Sequence, residues 1–165
     1  MTLLKKSAIL FLSLTAFTAC FNNSWTEDER KTFETTCHQT DSVENLVCLF
    51  YGFDNSEFDS VLIKEYKDST LLDSFKLVVN PAQSPSDIKR KERSATIPKK
   101  LSIHNSYHFI IPSQTPYVLD NMNMVMWAHF TMSGEDWGCV MGDYTLDSVR
   151  FEHSSNPTFI KRLTK

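Results

Sequence analysis

The residues from 122 to 132, MNMVMWAHFTM, alternate between apolar and more polar side chains with a period of two. Because successive side chains of a β-strand point to opposite faces, this alternation predicts a strand with one buried face. Core filling is the expected role of the methionines, and a pliable Met-rich binding surface is the alternative. The even positions are Met122, Met124, Met126, Ala128, Phe130 and Met132, and the odd positions include Asn123, His129 and Thr131.

Other apolar runs, rich in β-branched and aromatic residues, follow one another from Val43 onward and are separated by Asn, Asp, Pro, Gly and Ser clusters. Such spacing predicts an all-β fold, a six- to seven-stranded β-sandwich that is Ig-like or transthyretin-like in outline. SGEDWG, residues 133–138, is expected to be the turn into the last long strand. The other runs are VENLVCLFYGF, FDSVLIKEYK, SFKLVVN, KLSIHNSYHFIIP and CVMGDYTLDSVRFEH.

A short helix is predicted in SWTEDERKTFETTC, ahead of the first strand. Ser24 can cap this helix, with Glu27 three residues on completing a capping box, and acidic residues crowd the first turn.

The N-terminal residues have the pattern of an export signal. Lys5 and Lys6 precede an uncharged run from residue 7 to residue 19. That run is too short for a spanning helix, which needs roughly 20 apolar residues, but it suits the short apolar core of a signal peptide.

The end of this run resembles the lipobox of bacterial lipoproteins, with Phe17, Thr18 and Ala19 directly before Cys20. The resemblance implies that the chain is cut before Cys20 and that acyl chains, palmitate among them, anchor Cys20 to a membrane. A soluble exported protein, cut after Thr18, and an uncleaved anchor are the alternatives. The implied division is a signal peptide over 1–19, a lipidated tether over 20–24, and a single β-rich domain with a short N-terminal helix over 25–165.

The layout of leader, lipid cysteine, polar segment and β-domain loosely resembles small outer-membrane lipoproteins of Bacteroidota. This resemblance implies a cell-envelope location, at the outer membrane, and leaves open whether the domain faces the periplasm or the surface.

The charge balance argues against nucleic acid as a partner. The chain has 17 basic and 20 acidic residues, and the leader removes two lysines and no acids, so the mature chain is at net −5. A chain of this charge has no general affinity for phosphate backbones.

Three cysteines remain once Cys20 is assigned to lipid, and an oxidising envelope favours one disulfide among them. Cys37 and Cys48 bracket a short polar loop, and their pairing is the first expectation. Cys48 with Cys139 is the second, and fully reduced cysteines or another pairing stay open because connectivity does not follow from spacing alone.

One segment is strongly basic. KRKERSATIPKK, residues 89–100, carries six basic residues and one acid, and it is expected to be a mobile loop between strands. A solvated loop is the simpler interpretation, and an electrostatic contact with lipid phosphates or an acidic protein patch is the functional one. The candidate contact surface is Lys89, Arg90, Lys91, Arg93, Lys99 and Lys100.

Catalytic and metal motifs are not recognisable in the sequence, so no cofactor, metal site or enzymatic activity is predicted. His104 and His108 on a strand would lie about 13 Å apart, too far for one ion. Trp127 and Trp137 are candidates for stacking on a sugar. The resulting hypothesis is a non-enzymatic envelope lipoprotein that binds a protein or envelope component; a surface glycan-binding module is the first alternative, and an enzyme with a dispersed site is the second.

Overall fold

The computed structural model describes residues 25–131 and 134–163. The signal peptide 1–19, the tether 20–24 with Cys20, and the candidate cap Ser24 lie outside the described residues.

The described residues contain two helices and eleven strands. The helices are α1 (Glu27–His38) and α2 (Pro85–Arg90). The strands are β1 (Ser42–Val43), β2 (Val47–Tyr51), β3 (Ser60–Lys67), β4 (Thr70–Val78), β5 (Glu92–Thr96), β6 (Leu101–Ser102), β7 (Ser106–Ile110), β8 (Tyr117–Thr131), β9 (Gly134–Leu146), β10 (Val149–Phe151) and β11 (Thr158–Ile160).

The strands form two packed sheets and one short pair. The large sheet is antiparallel and has the order β10-β9-β8-β7-β3-β4. The small sheet has the order β11-β2-β5, with β11 parallel to β2, and β1 pairs with β6. This six-plus-three division differs from the four-plus-three antiparallel division of an Ig constant domain.

Aromatic rings join the two sheets into one core. Phe159 on β11 stacks on Phe50 at 5.1 Å and contacts Phe109 at 4.4 Å and Tyr117 at 5.5 Å, all between ring centroids. Phe50 and Phe159 belong to the small sheet, whereas Phe109 and Tyr117 belong to the large one. Aromatic burial of this size contributes heavily to a core, and it confirms the predicted β-sandwich.

The expected count of six or seven strands was too low, because several strands are only two or three residues long and some apolar runs hold two strands. CVMGDYTLDSVRFEH contains the end of β9 and the whole of β10. Asp147 and Ser148 adopt φ values of 52° and 67°, the left-handed conformations that a two-residue hairpin turn requires.

The predicted N-terminal helix is confirmed, but its cap lies further along the chain than Ser24. Thr26 is the N-cap, and its hydroxyl accepts a hydrogen bond from the Glu29 backbone N–H. The Glu29 carboxylate accepts in return from the Thr26 backbone N–H at 2.7 Å, which completes a capping box. The Thr26 hydroxyl also donates to this carboxylate at 2.8 Å, and the hydrogen bonds from the Thr26 backbone and hydroxyl, the backbone one first, lower the pKa of Glu29 below its ordinary value.

Candidate binding face of the long hairpin

Strands β8 and β9 form a hairpin that stays paired out to Thr131 and Gly134. Directly opposite residues of an antiparallel pair share a face. Met124 and Met141 are opposite each other and buried, which defines the inner face of the hairpin. Val125 and Val140 form the next pair and therefore lie on the outer face.

The inner-face methionines fill the core, as the alternation predicts. Met122 is 5% exposed and Met124 is 4% exposed, and both belong to the main apolar cluster with Met141. The period of two is interrupted by an irregularity in the β8–β9 register between Asp120 and Met124.

A disulfide joins Cys37 at the end of α1 to Cys139 on β9, so the expected pairings of Cys48 with Cys37 and with Cys139 were both wrong. The Cα atoms of the bonded cysteines are 5.4 Å apart, within the range that a disulfide spans. Cys48 lies on β2 with its side chain inside the sandwich, fully buried and free. Burial raises the pKa of its thiol well above the ordinary value, as expected of an inert core cysteine.

Helix α1 covers the inner face of the hairpin next to this disulfide. The Arg30 guanidinium lies over the Trp137 ring at 5.5 Å from its centroid. Nδ1 of His38 lies 3.1 Å from the Met124 carbonyl oxygen. Cys37 is the one buried residue of α1, so the helix has little apolar anchoring apart from its disulfide.

The basic segment 89–100 is not a loop. It comprises the end of α2, the whole of β5 and the chain leading to β6, and three of its six cations form ion pairs within the molecule. Lys91 pairs with Asp54 at 2.7 Å, and Lys99 pairs with Asp73 at 2.8 Å. Arg90 pairs with Asp87 and Glu92 at 3.1 and 3.2 Å. Of the six candidate contact residues, Lys89, Arg93 and Lys100 have no ion-pair partner within the described part of the chain.

Arg93 is 2% exposed and cannot belong to a contact surface. Its Nη1 donates to the Phe58 carbonyl at 2.6 Å and its Nη2 to the Val79 carbonyl at 3.3 Å. Its Nε donates to the Asn80 carbonyl at 3.4 Å, and the guanidinium lies over the Phe58 ring at 4.6 Å. Burial lowers the pKa of Arg93, while Asp59 and Glu57 act in the opposite direction. The Arg93 side chain therefore links the backbone carbonyls of Phe58, Val79 and Asn80 through hydrogen bonds.

Trp127 and Trp137 lie on opposite faces of the hairpin and cannot form one stacking surface. Trp127 is opposite Gly138 and lies on the outer face, where it is 50% exposed. Trp137 is opposite Ala128 on the inner face, partly covered by Arg30 of α1. Sequence alone does not give this separation, because it depends on where β9 begins: strand pairing starts at Gly134, inside the segment expected to be a turn.

A groove of about 470 Å³ opens on the outer face, between the hairpin and the chain that follows β10. Val125, Trp127 and Val140 form one side, and His153 and Ser155 form the other. Its volume is within the range of ligand-binding clefts. Among the residues of the groove, Trp127 was predicted from the sequence as a binding residue and the others were not.

Gly142 forms the floor of this groove, where the register shifts between Asn123 and Met124. A lone glycine within a strand is the sequence signal for such an irregularity. A Cβ placed on Gly142 would meet both methyl groups of Val125, at 2.6 Å from Cγ1.

We expect Gly142→Ala to lower the free energy of unfolding by about 1–3 kcal/mol, because the added methyl overpacks the site. Gly138→Ala is the matched control on the same strand, since no atom lies within 4 Å of its Cβ position. Urea denaturation of both variants checks this. Adding Val125→Ala to Gly142→Ala should restore part of the loss, and equal stability of the two glycine variants would contradict the close approach.

His104 and His108 belong to different environments. His108 lies on β7 with its ring 4.5 Å from that of Tyr66, whereas His104 is exposed in the preceding turn. Over residues 25–131 and 134–163, no group of three or more His, Cys, Asp or Glu side chains could hold a metal ion. The helices of that same portion are also too short or too polar to cross a membrane.

Comparison with models of protein families, with curated proteins and with solved structures found no match to this chain.

Proposed function

We propose that this protein is an exported lipoprotein, held on a cell-envelope membrane by acyl chains on Cys20, whose β-sandwich is a non-enzymatic binding or accessory component. The disulfide carries the case for export. Cys37 and Cys139 are 102 residues apart in sequence and are bonded in the fold. Bonds of this kind persist in oxidising compartments and are rare in the cytosol.

The anchor follows from the lipobox-like residues before Cys20. Each buried methylene contributes roughly 0.8 kcal/mol to membrane binding, so two or three acyl chains hold a domain far more firmly than one. The outer membrane is the proposed location because the layout of the chain resembles that of small lipoproteins of that membrane.

The outer-face groove supports a binding role. Trp127 is a large apolar side chain that remains half exposed beside two valines, although burying it would be favourable. Tryptophan is also enriched among the residues that dominate binding energies at interfaces.

We expect Cys20→Ser to abolish incorporation of labelled palmitate and to release the protein from washed membranes, because a hydroxyl is too weak a nucleophile to replace the thiol. Cys48→Ala is the matched control, since it removes a different free cysteine and should leave labelling unchanged. Palmitate labelling followed by membrane fractionation checks both variants. Equal labelling of Cys20→Ser and wild type would contradict the proposed anchor.

A surface glycan-binding module is the second candidate, favoured by the half-exposed ring of Trp127. A glycan array would then show binding that is insensitive to salt and lost in Trp127→Ala. Trp137→Ala should leave that binding intact, because Trp137 lies on the other face.

A further inference from the structure

We infer that the outer-face groove binds an apolar side chain carried by a basic segment of a partner protein. This inference rests on the proposed function, because it assigns the partner chemistry of the binding component described above.

The shape and lining of the groove favour an apolar anchor. Val125, Val140 and the Trp127 ring provide apolar surface, and the Val125 methyl groups pack over Gly142. Polar side chains come only from His153 and Ser155 among the residues that line it. A pyranose presents many hydroxyl groups, and a site that leaves buried hydroxyls without partners loses affinity. An aliphatic or aromatic side chain suits this lining better.

Acidic residues flank the groove on the outer face. Asp136 is opposite His129, two positions from Gly138, and it is exposed toward the hairpin tip. Asp143 lies at the other end, opposite Asn123. Arg150 pairs with Asp143 at 3.0 Å and with Glu152 at 3.2 Å. The one positive charge of Arg150 is therefore shared between two negative carboxylates.

The sequence around the groove is acidic as a whole. Residues 123–131, 134–143 and 149–155, which line or adjoin it, contain four acids and one base, Arg150, for a net charge of −3. The acids are Glu135, Asp136, Asp143 and Glu152. Opposite charge on a partner raises the rate of encounter and selects against acidic partners.

Four of the six cations of the basic segment are paired or buried away from the groove and do not offset this field, whereas Lys89 and Lys100 are unpaired within the described residues. Lys91 and Lys99 pair with Asp54 and Asp73, and Arg93 is buried. Charge complementarity at the groove therefore favours a basic partner, whereas the basic segment had suggested an acidic one.

Selection from a displayed library of random short peptides on the purified full chain tests this inference. We expect the enriched peptides to carry an aromatic or large aliphatic residue beside Lys or Arg, and their affinity to fall as salt rises. Trp127→Ala should weaken the enriched peptides at least about tenfold, as expected for a central tryptophan of an interface. Asp136→Asn should weaken them less, mainly at low salt.

Leu71→Ala is the matched control, because Leu71 is 51% exposed, as Trp127 is, but lies on β4 at the far edge of the sheet. It should leave peptide affinity unchanged. Enrichment of acidic peptides, no enrichment, equal binding by Trp127→Ala, or a Trp127-dependent glycan signal would each overturn the inference. None of these outcomes affects palmitate labelling of Cys20, so failure of the partner assignment and failure of the anchor are distinguishable.

Discussion

Replacing both Cys37 and Cys139 with serine should lower the free energy of unfolding by about 3–5 kcal/mol. The bond closes a loop of 102 residues in sequence separation, and the chain-entropy model gives about 4.7 kcal/mol for a loop of roughly that size. Two-state domains are stable by only about 5–15 kcal/mol, so this is a large fraction of the total. Urea denaturation at constant temperature measures it.

The same double variant should release α1 while the sandwich remains folded. Only Cys37 of this helix is buried, and its polar contacts with the hairpin include Arg30 over Trp137 and His38 beside Met124. Hydrogen exchange of residues 27–38 should therefore approach the rate of an unprotected peptide, with β2 and β7 still protected.

Cys48→Ala is the control for that experiment, because it removes a free buried thiol and leaves the bond in place. It should lose less stability than the double variant and keep α1 protected. Unchanged protection of α1 in the double serine variant would show that the helix does not depend on the disulfide.

Arg93→Met should lower the free energy of unfolding by about 3 kcal/mol. Methionine keeps much of the side-chain volume but leaves the carbonyls of Phe58, Val79 and Asn80 without their donor. A buried acceptor without a partner costs about 1–3 kcal/mol, and the regained solvation of the removed charge offsets part of the sum. Urea denaturation measures the loss.

Lys89→Met is the matched control for Arg93→Met, since it removes one positive charge from the same segment at an exposed position. A surface substitution of this kind changes stability by no more than about 0.5 kcal/mol. Equal losses in the two variants would contradict the structural role of Arg93.

Local pattern was sufficient for some elements of the fold and not for others. The alternation of Met122, Met124 and Met126 identified β8 and its inner face, and the acidic turn after Trp25 identified α1. The same period of two was present in the basic segment, where Arg93, Ala95 and Ile97 alternate with polar residues and are all buried. The high charge of that segment outweighed its alternation, so β5 was missed.

The disulfide, the faces of the two tryptophans and the groove depend on contacts between distant segments, which a local sequence pattern does not encode. Cys139 meets Cys37 because α1 folds over β9, a contact between residues far apart in sequence. Trp127 and Trp137 are separated by the register of β8 and β9, and a shift of one residue would have placed them on the same face. The groove likewise depends on the chain after β10, which returns beside the hairpin through the hydrogen bond from the Ser154 backbone N–H to the Gly142 carbonyl.

Mass spectrometry of a non-reduced digest, made from protein recovered from the cell envelope, tests the proposed exported, disulfide-tethered lipoprotein most directly. The account predicts a peptide containing Cys37 linked to one containing Cys139, a free thiol at Cys48, and an acylated Cys20 at the mature N-terminus. Free thiols at Cys37, Cys48 and Cys139, with an unmodified Cys20, would contradict it.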